Sequence, residues 1–245
     1  MILYGTLALC ALGAAFLVYR HDLYDREPAW LLLVTVGLGA SSMNVAGLVE
    51  TRALVWSGVT TRAGIAALAA LVEELAKLLV VVMVALCARK QFNDPLDGLV
   101  YGSMAGLGAA VEESVFYLRT EPLPAPVLPP VEAVRLCGHL IMGGIGGFAL
   151  GMAVTGRKSW PLALVGGFGA ATGLHFAWDW LSMSSTQEGA LGPGHTLPAV
   201  ALMLGGLALY ATLTSLGSGW SHALFAPDRP AILWGWPFKR TGRKI

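Results

Sequence analysis

Apolar residues dominate seven stretches of about twenty residues, separated by short polar or proline-rich segments. A helix of that length can cross the hydrocarbon core of a bilayer. The pattern predicts helices over about 2–19, 29–49, 63–88, 96–118, 131–154, 160–181 and 197–216. The expected fold class is therefore all-α, a polytopic transmembrane helix bundle of about seven spans. A charged connector follows the first span. The segment 50–62, with Trp56, reads as an interfacial linker. The run at 121–130 is too rich in proline to span, and 182–196 reads as a polar loop. Residues 1–219 are expected to form one transmembrane domain with its core in the helices over about 63–181. Residues 220–245 are expected to form an interfacial, basic tail. The first apolar run lacks a basic leader and exceeds a typical signal-peptide core, so it reads as a retained helix.

Composition agrees. The 245 residues are 56% hydrophobic and 13% charged, where soluble domains carry about 25% charged residues. Mean hydropathy is +0.66. A formal net charge of +1 offers no basic footprint for a nucleic-acid partner. Cys10, Cys87 and Cys137 lack metal-site spacing and read as packing residues. Placing the C-terminus inside puts eleven basic residues on the cytoplasmic side: Arg20, Arg26, Arg89, Lys90, Arg157, Lys158, Arg229, Lys239, Arg240, Arg243 and Lys244. Four lie outside: Arg52, Arg62, Arg119 and Arg135. The bias predicts the N-terminus outside and the C-terminus inside.

The third span interrupts its apolar pattern with Glu73, Glu74 and Lys77. Ionisable groups at membrane depth are costly and should face protein or a polar cavity. Lys77 can reach either glutamate along one helix face, which leaves one carboxylate spare. Further polar groups follow: Glu113 on the small-residue face of the fourth span, His139 at the head of a glycine stripe in the fifth, and His175 with Asp179 in the sixth. Taken singly, His139 can be a packing residue and His175–Asp179 an intrahelical hydrogen bond. Taken together, groups from four helices fall at overlapping depths, as a shared site requires.

Two histidines with several carboxylates suit either of two chemistries. They can bind a divalent metal, zinc above all, and activate water. Alternatively, a glutamate acts as general base while histidines stabilise an oxyanion. Both point to hydrolysis of a carbonyl group. Neither an HExxH helix nor a GxSxG elbow is present.

The segments EELAK (Glu73 to Lys77), GLGAAVEESVFY (Gly106 to Tyr117), His139 with its glycines, and HFAWD (His175 to Asp179) resemble the PrsW family of intramembrane proteases. DGLVYG, from Asp97, also fits. These matches keep the family order across the third to sixth spans. Two positions depart: Ala109 stands where the family usually has phenylalanine, and Ser114 where it has asparagine. The lost aromatic either enlarges the pocket or alters packing.

The resemblance implies an endopeptidase that cuts a membrane-anchored protein near the outer face, an anti-sigma factor or similar regulator. On that reading Glu73 or Glu74 is the general base and Lys77 tunes the pair. Glu113, His139 and His175 bind a metal or polarise the scissile carbonyl, and Asp179 orients His175 or joins the ligands. The implied location is the bacterial cytoplasmic membrane, with the lipid bilayer and a membrane-anchored substrate as partners. A proton- or ion-coupled transporter and a non-catalytic scaffold are the competing readings; intramembrane Glu and His also build relays.

Overall fold

The computed structural model describes residues 2–120, 128–183, 193–230, 232–233 and 236–237. The expected proline-rich loop at 121–127, most of the polar loop after residue 183 and the basic end of the tail lie outside them. The described residues form seven α-helices: α1 (Ile2–His21), α2 (Ala29–Ser57), α3 (Arg62–Cys87), α4 (Pro95–Thr120), α5 (Pro130–Val154), α6 (Trp160–Met183) and α7 (Pro193–Phe225). Four of them, α1, α2, α5 and α7, are long and apolar enough to cross a membrane. The protein is thus an all-α, membrane-embedded bundle with at least four apolar spans. In α3, charged residues at 73, 74 and 77 interrupt the apolar pattern.

Local chemistry sets the helix ends. Asp94 Oδ1 accepts from the backbone N–H of Leu96 (2.5 Å), so an Asp-Pro pair opens α4 in the usual N-cap, N1 order. Thr61 caps α3 by accepting from the Gly64 N–H at 3.2 Å. α2 ends at Gly58, whose φ of 63° suits a residue without Cβ. α2 therefore runs on through the segment expected to be a linker, and Glu50 lies inside a helix. Helical hydrogen bonding outlasts the apolar run because α2 still has α3 and α4 to pack against. α7 likewise extends to Phe225 and takes in Trp220, which stacks on Phe148 with ring centroids 5.9 Å apart. The cysteines are unpaired and lie on exposed helix faces, not in the packed interior.

α4 occupies the centre and is buried without interruption from Pro95 to Ala110. α1, α2, α3, α5 and α7 all pack on it. Its closest neighbour is α5. A Cβ on Gly98, Gly102 or Gly106 would collide with the backbone carbonyl of Gly147, Gly143 or His139 respectively. Helices in lipid gain little from hydrophobic exclusion, so close backbone approach through small residues supplies van der Waals attraction instead. The other face of α4 meets α2 the same way, with Gly39 against Ala105 and Gly108 against Val36. Large apolar side chains such as Leu9, Phe16, Leu48 and Leu162 point outward, as lipid-facing residues should.

At one end of the bundle a carboxylate cluster ties the α1–α2 connector to the start of α4. Asp22 accepts from the Glu27 N–H at 3.0 Å, Tyr101 donates to Glu27, and Asn93 donates to Asp25 at 2.8 Å. Burial, reinforced by the negative charges of Glu27, Asp94 and Asp25, pushes the Asp22 carboxyl up to about 7. Burial likewise raises Glu27 to about 7. Unfolded carboxyls titrate near 4. These two groups therefore favour the fold fully below about pH 4, and that contribution is lost as pH rises through about 7.

Two outcomes are expected. Asp22→Asn keeps the acceptor for the Glu27 N–H, so its melting temperature should fall less than that of the unmodified protein between pH 4.5 and pH 8. Gly102→Val should drive α4 from α5 and destabilise the detergent-solubilised protein by about 1–3 kcal/mol, the usual scale of overpacking. Thermal unfolding followed by circular dichroism checks both.

Candidate metal centre

α3 presents Glu73, Glu74 and Lys77 on adjoining turns, all buried. Lys77 Nζ lies 2.6 Å from Glu74 Oε1 and 3.8 Å from Glu73 Oε2. Glu74 is held on its other side by α6, where His175 Nδ1 lies 2.8 Å from the same Oε1. The two adjacent glutamates thus have different surroundings. Glu74 belongs to a Lys–Glu–His chain, whereas Glu73 turns its Oε2 toward both histidines. That atom is 3.5 Å from His175 Nε2 and 4.0 Å from His139 Nδ1.

His139 enters from α5 at the level fixed by the Gly106 contact, and its ring sits edge-on to His175 with centroids 5.0 Å apart. Its Nε2 lies 3.0 Å from Glu113 Oε2 on α4. Glu113 is also 3.3 Å from Arg135 Nε, and Arg135 in turn pairs with Glu132 and lies 4.4 Å over the Tyr117 ring. Asp179 Oδ2 is 3.5 Å from His175 Nε2, one turn along α6. Glu73, Glu74, Glu113, His139, His175 and Asp179, with Lys77, therefore form one connected cluster. Its contact to His139 from α4 is made by Glu113, not its neighbour Glu112.

The donor set can be tested for fit to a metal. A carboxylate only accepts hydrogen bonds. Glu74 therefore takes the N–H from His175 Nδ1, while Glu113 Oε2 lies 3.0 Å from His139 Nε2. The other ring nitrogens, His175 Nε2 and His139 Nδ1, face Glu73 Oε2. One donor atom each from Glu73, His139 and His175 lies within 4.8 Å of the others. Glu73 Oε2 and His139 Nδ1 have no hydrogen-bond partner among the described residues. Three such groups converging in a buried site are stabilised by a proton or a metal cation shared between them. Each ring also has the carboxylate partner that metal-bound imidazoles usually keep on their outer nitrogen. These residues fit a divalent metal such as zinc.

A family model for PrsW family intramembrane metalloproteases matches residues 27–209. The chain belongs to that family. The match takes in α2 to α6, and so every residue of the cluster. Protease PrsW of Geobacillus kaustophilus (strain HTA426) is 32% identical over 124 residues, 49% of this chain. The chain spans about half the length of this curated relative (52%). No solved structure matches.

The expected metal set and the geometry overlap at His139 and His175. Glu73 is the carboxylate nearest both inward-facing nitrogens, while Glu113 and Asp179 border the rings. Of the two family departures, Ala109 is fully buried, and Ser114 is buried with its hydroxyl unpartnered among the described residues. Two residues escaped the sequence reading. Arg135 counted there only as a loop charge, although it lies one turn before His139 on the same helix face. Glu50 was assigned to a linker, yet it lies within electrostatic reach of His175, Asp179, Glu113 and Lys77. Removing the carboxylate behind His139 should matter to metal affinity. Zinc binding, read by competition with a chromophoric chelator, should weaken about 10–100-fold in Glu113→Ala, the usual effect of losing a ligand's hydrogen-bond partner.

Proposed function

We propose that the protein is an intramembrane metalloprotease that hydrolyses a peptide bond in a membrane-anchored protein. The observation that carries this reading is the convergence of Glu73 Oε2, His139 Nδ1 and His175 Nε2 from three helices. Zinc, when bound, supplies Lewis acidity to a carbonyl oxygen and makes water a better nucleophile. Glu73, His139 and His175 would hold it. Glu74 fixes the His175 tautomer, and Lys77 neutralises Glu74. Glu113 stands 3.0 Å from the outer nitrogen of His139, steadied by Arg135. Asp179 stands beside the same His175 nitrogen as Glu73 and completes the ligand set or holds substrate.

The buried site excludes bulk water, so electrostatic contacts within it are strong. A substrate helix must unwind locally to enter, since its intact carbonyls are already hydrogen-bonded. The charge distribution supports a seven-span arrangement with the N-terminus outside and the C-terminus inside the bacterial cytoplasmic membrane. With that orientation the site opens toward the outer face, where a single-span regulator such as an anti-sigma factor would be cut.

Proteoliposomes containing the purified protein and a pool of single-span membrane proteins from the host provide the test, with cuts mapped by mass spectrometry. Cleavage should stop with a zinc chelator and return when zinc is restored. Glu73→Gln and His175→Ala should each lower it at least about 100-fold, consistent with loss of metal-assisted hydrolysis, without unfolding the protein. Ion flux in the same vesicles without any cut would favour the transporter reading instead.

A further inference from the structure

The carboxylates around the histidines are nearly all committed. Glu73 faces both rings, Glu74 is tied to Lys77 and His175, Glu113 to His139 and Arg135, and Asp179 to His175. A hydrolase also needs a group that takes a proton from the attacking water and passes one to the leaving amine. Metal ligands serve that role poorly, because their lone pairs are engaged.

Glu50 meets the requirement. It lies on the inner stripe of α2 with Thr35, Gly39 and Ala46, which are buried. Gly39 brings that stripe against the α4 backbone at Ala105, and Glu50 lies three turns further along α2. It therefore projects beside the part of α4 that carries Glu113. Its Oε1 is buried and has no hydrogen-bond partner among the described residues. Its carboxylate is within electrostatic reach of His175, Asp179, Glu113, Lys77 and Glu73. The residue as a whole is only half-buried.

Resting on the protease reading above, we infer that Glu50 of α2 is a catalytic residue, the proton carrier of the hydrolysis. As the water oxygen bonds to the scissile carbonyl carbon, a water proton passes to Glu50. When the carbon–nitrogen bond breaks, Glu50 returns that proton to the leaving nitrogen. Water is consumed, a new carboxyl and a new amine are released, and Glu50 ends as it began. α2 thereby becomes a fifth wall of the site.

The test uses the full-length protein in the proteoliposome cleavage assay, with zinc content and melting temperature measured on each variant. Glu50→Gln should lower the cleavage rate at least about 100-fold, within the range for general acid–base groups. Zinc per chain and melting temperature should stay at their unmodified values. Glu50→Asp should retain part of the rate. Glu50→Ala should regain part of it in added formate, whose carboxylate can enter the vacated space. A Glu50→Gln rate within about threefold of the unmodified protein overturns the inference while leaving the protease reading intact. So does loss of zinc in step with the rate, which would make Glu50 a ligand or packing residue. An unmodified protein that cuts nothing overturns the protease reading, and this inference with it.

Discussion

Direct backbone contact between α4 and α5 sets the geometry on which the rest depends. In lipid, two helices have no hydrophobic reason to meet, so attraction must come from close contact along their length. Gly98, Gly102 and Gly106 face Gly147, Gly143 and His139 without any Cβ between them. That contact fixes the height of α5 against α4. His139 is consequently level with Glu113 at a separation of 3.0 Å. A spacer of even one methyl group would move an imidazole whose neighbours lie at hydrogen-bonding distance.

The second constraint is charge in a low-dielectric interior. Buried carboxylates are expensive unless compensated. Glu74 is compensated by Lys77 and Glu113 by Arg135. Glu74 also accepts from His175 Nδ1, and Glu113 lies 3.0 Å from His139 Nε2, so the other nitrogen of each ring faces Glu73. Such an arrangement is stabilised by a shared proton or a divalent cation. Lys77 reaches His175 only through Glu74, whose Oε1 lies 2.6 Å from Lys77 Nζ and 2.8 Å from His175 Nδ1.

α2 has a double part in this arrangement. Its small residues let it press against α4 on a face away from α5, which leaves α4 a central post buried from Pro95 to Ala110. Its continuation past the apolar run brings Glu50 to the level of the cluster. At the other end of α4, the Asp22–Glu27–Tyr101 contacts anchor the connector before α2. The helix that lines one side of the site is thereby held at its base as well as along its length.

Membrane class, helix number and most of the cluster were legible in the sequence, because each is a local property. Hydropathy over about twenty residues reports a span whatever surrounds it. Ionisable residues such as Glu73, Glu74, His139 and His175 stand out against an apolar background. Orientation is not local. Adjacent helix residues point about 100° apart, so Glu73 and Glu74 are equivalent until α5 and α6 take their places. Only then does one face two histidines while the other is bound to Lys77 and His175. Arg135 and Glu50 depended on the same step: one near a helix start and the other past an apolar run, neither was distinguishable from a surface charge. Their proximity to Glu113 and His175 comes from the packing of α5 and α2 on α4, a sum of contacts between segments distant in the chain.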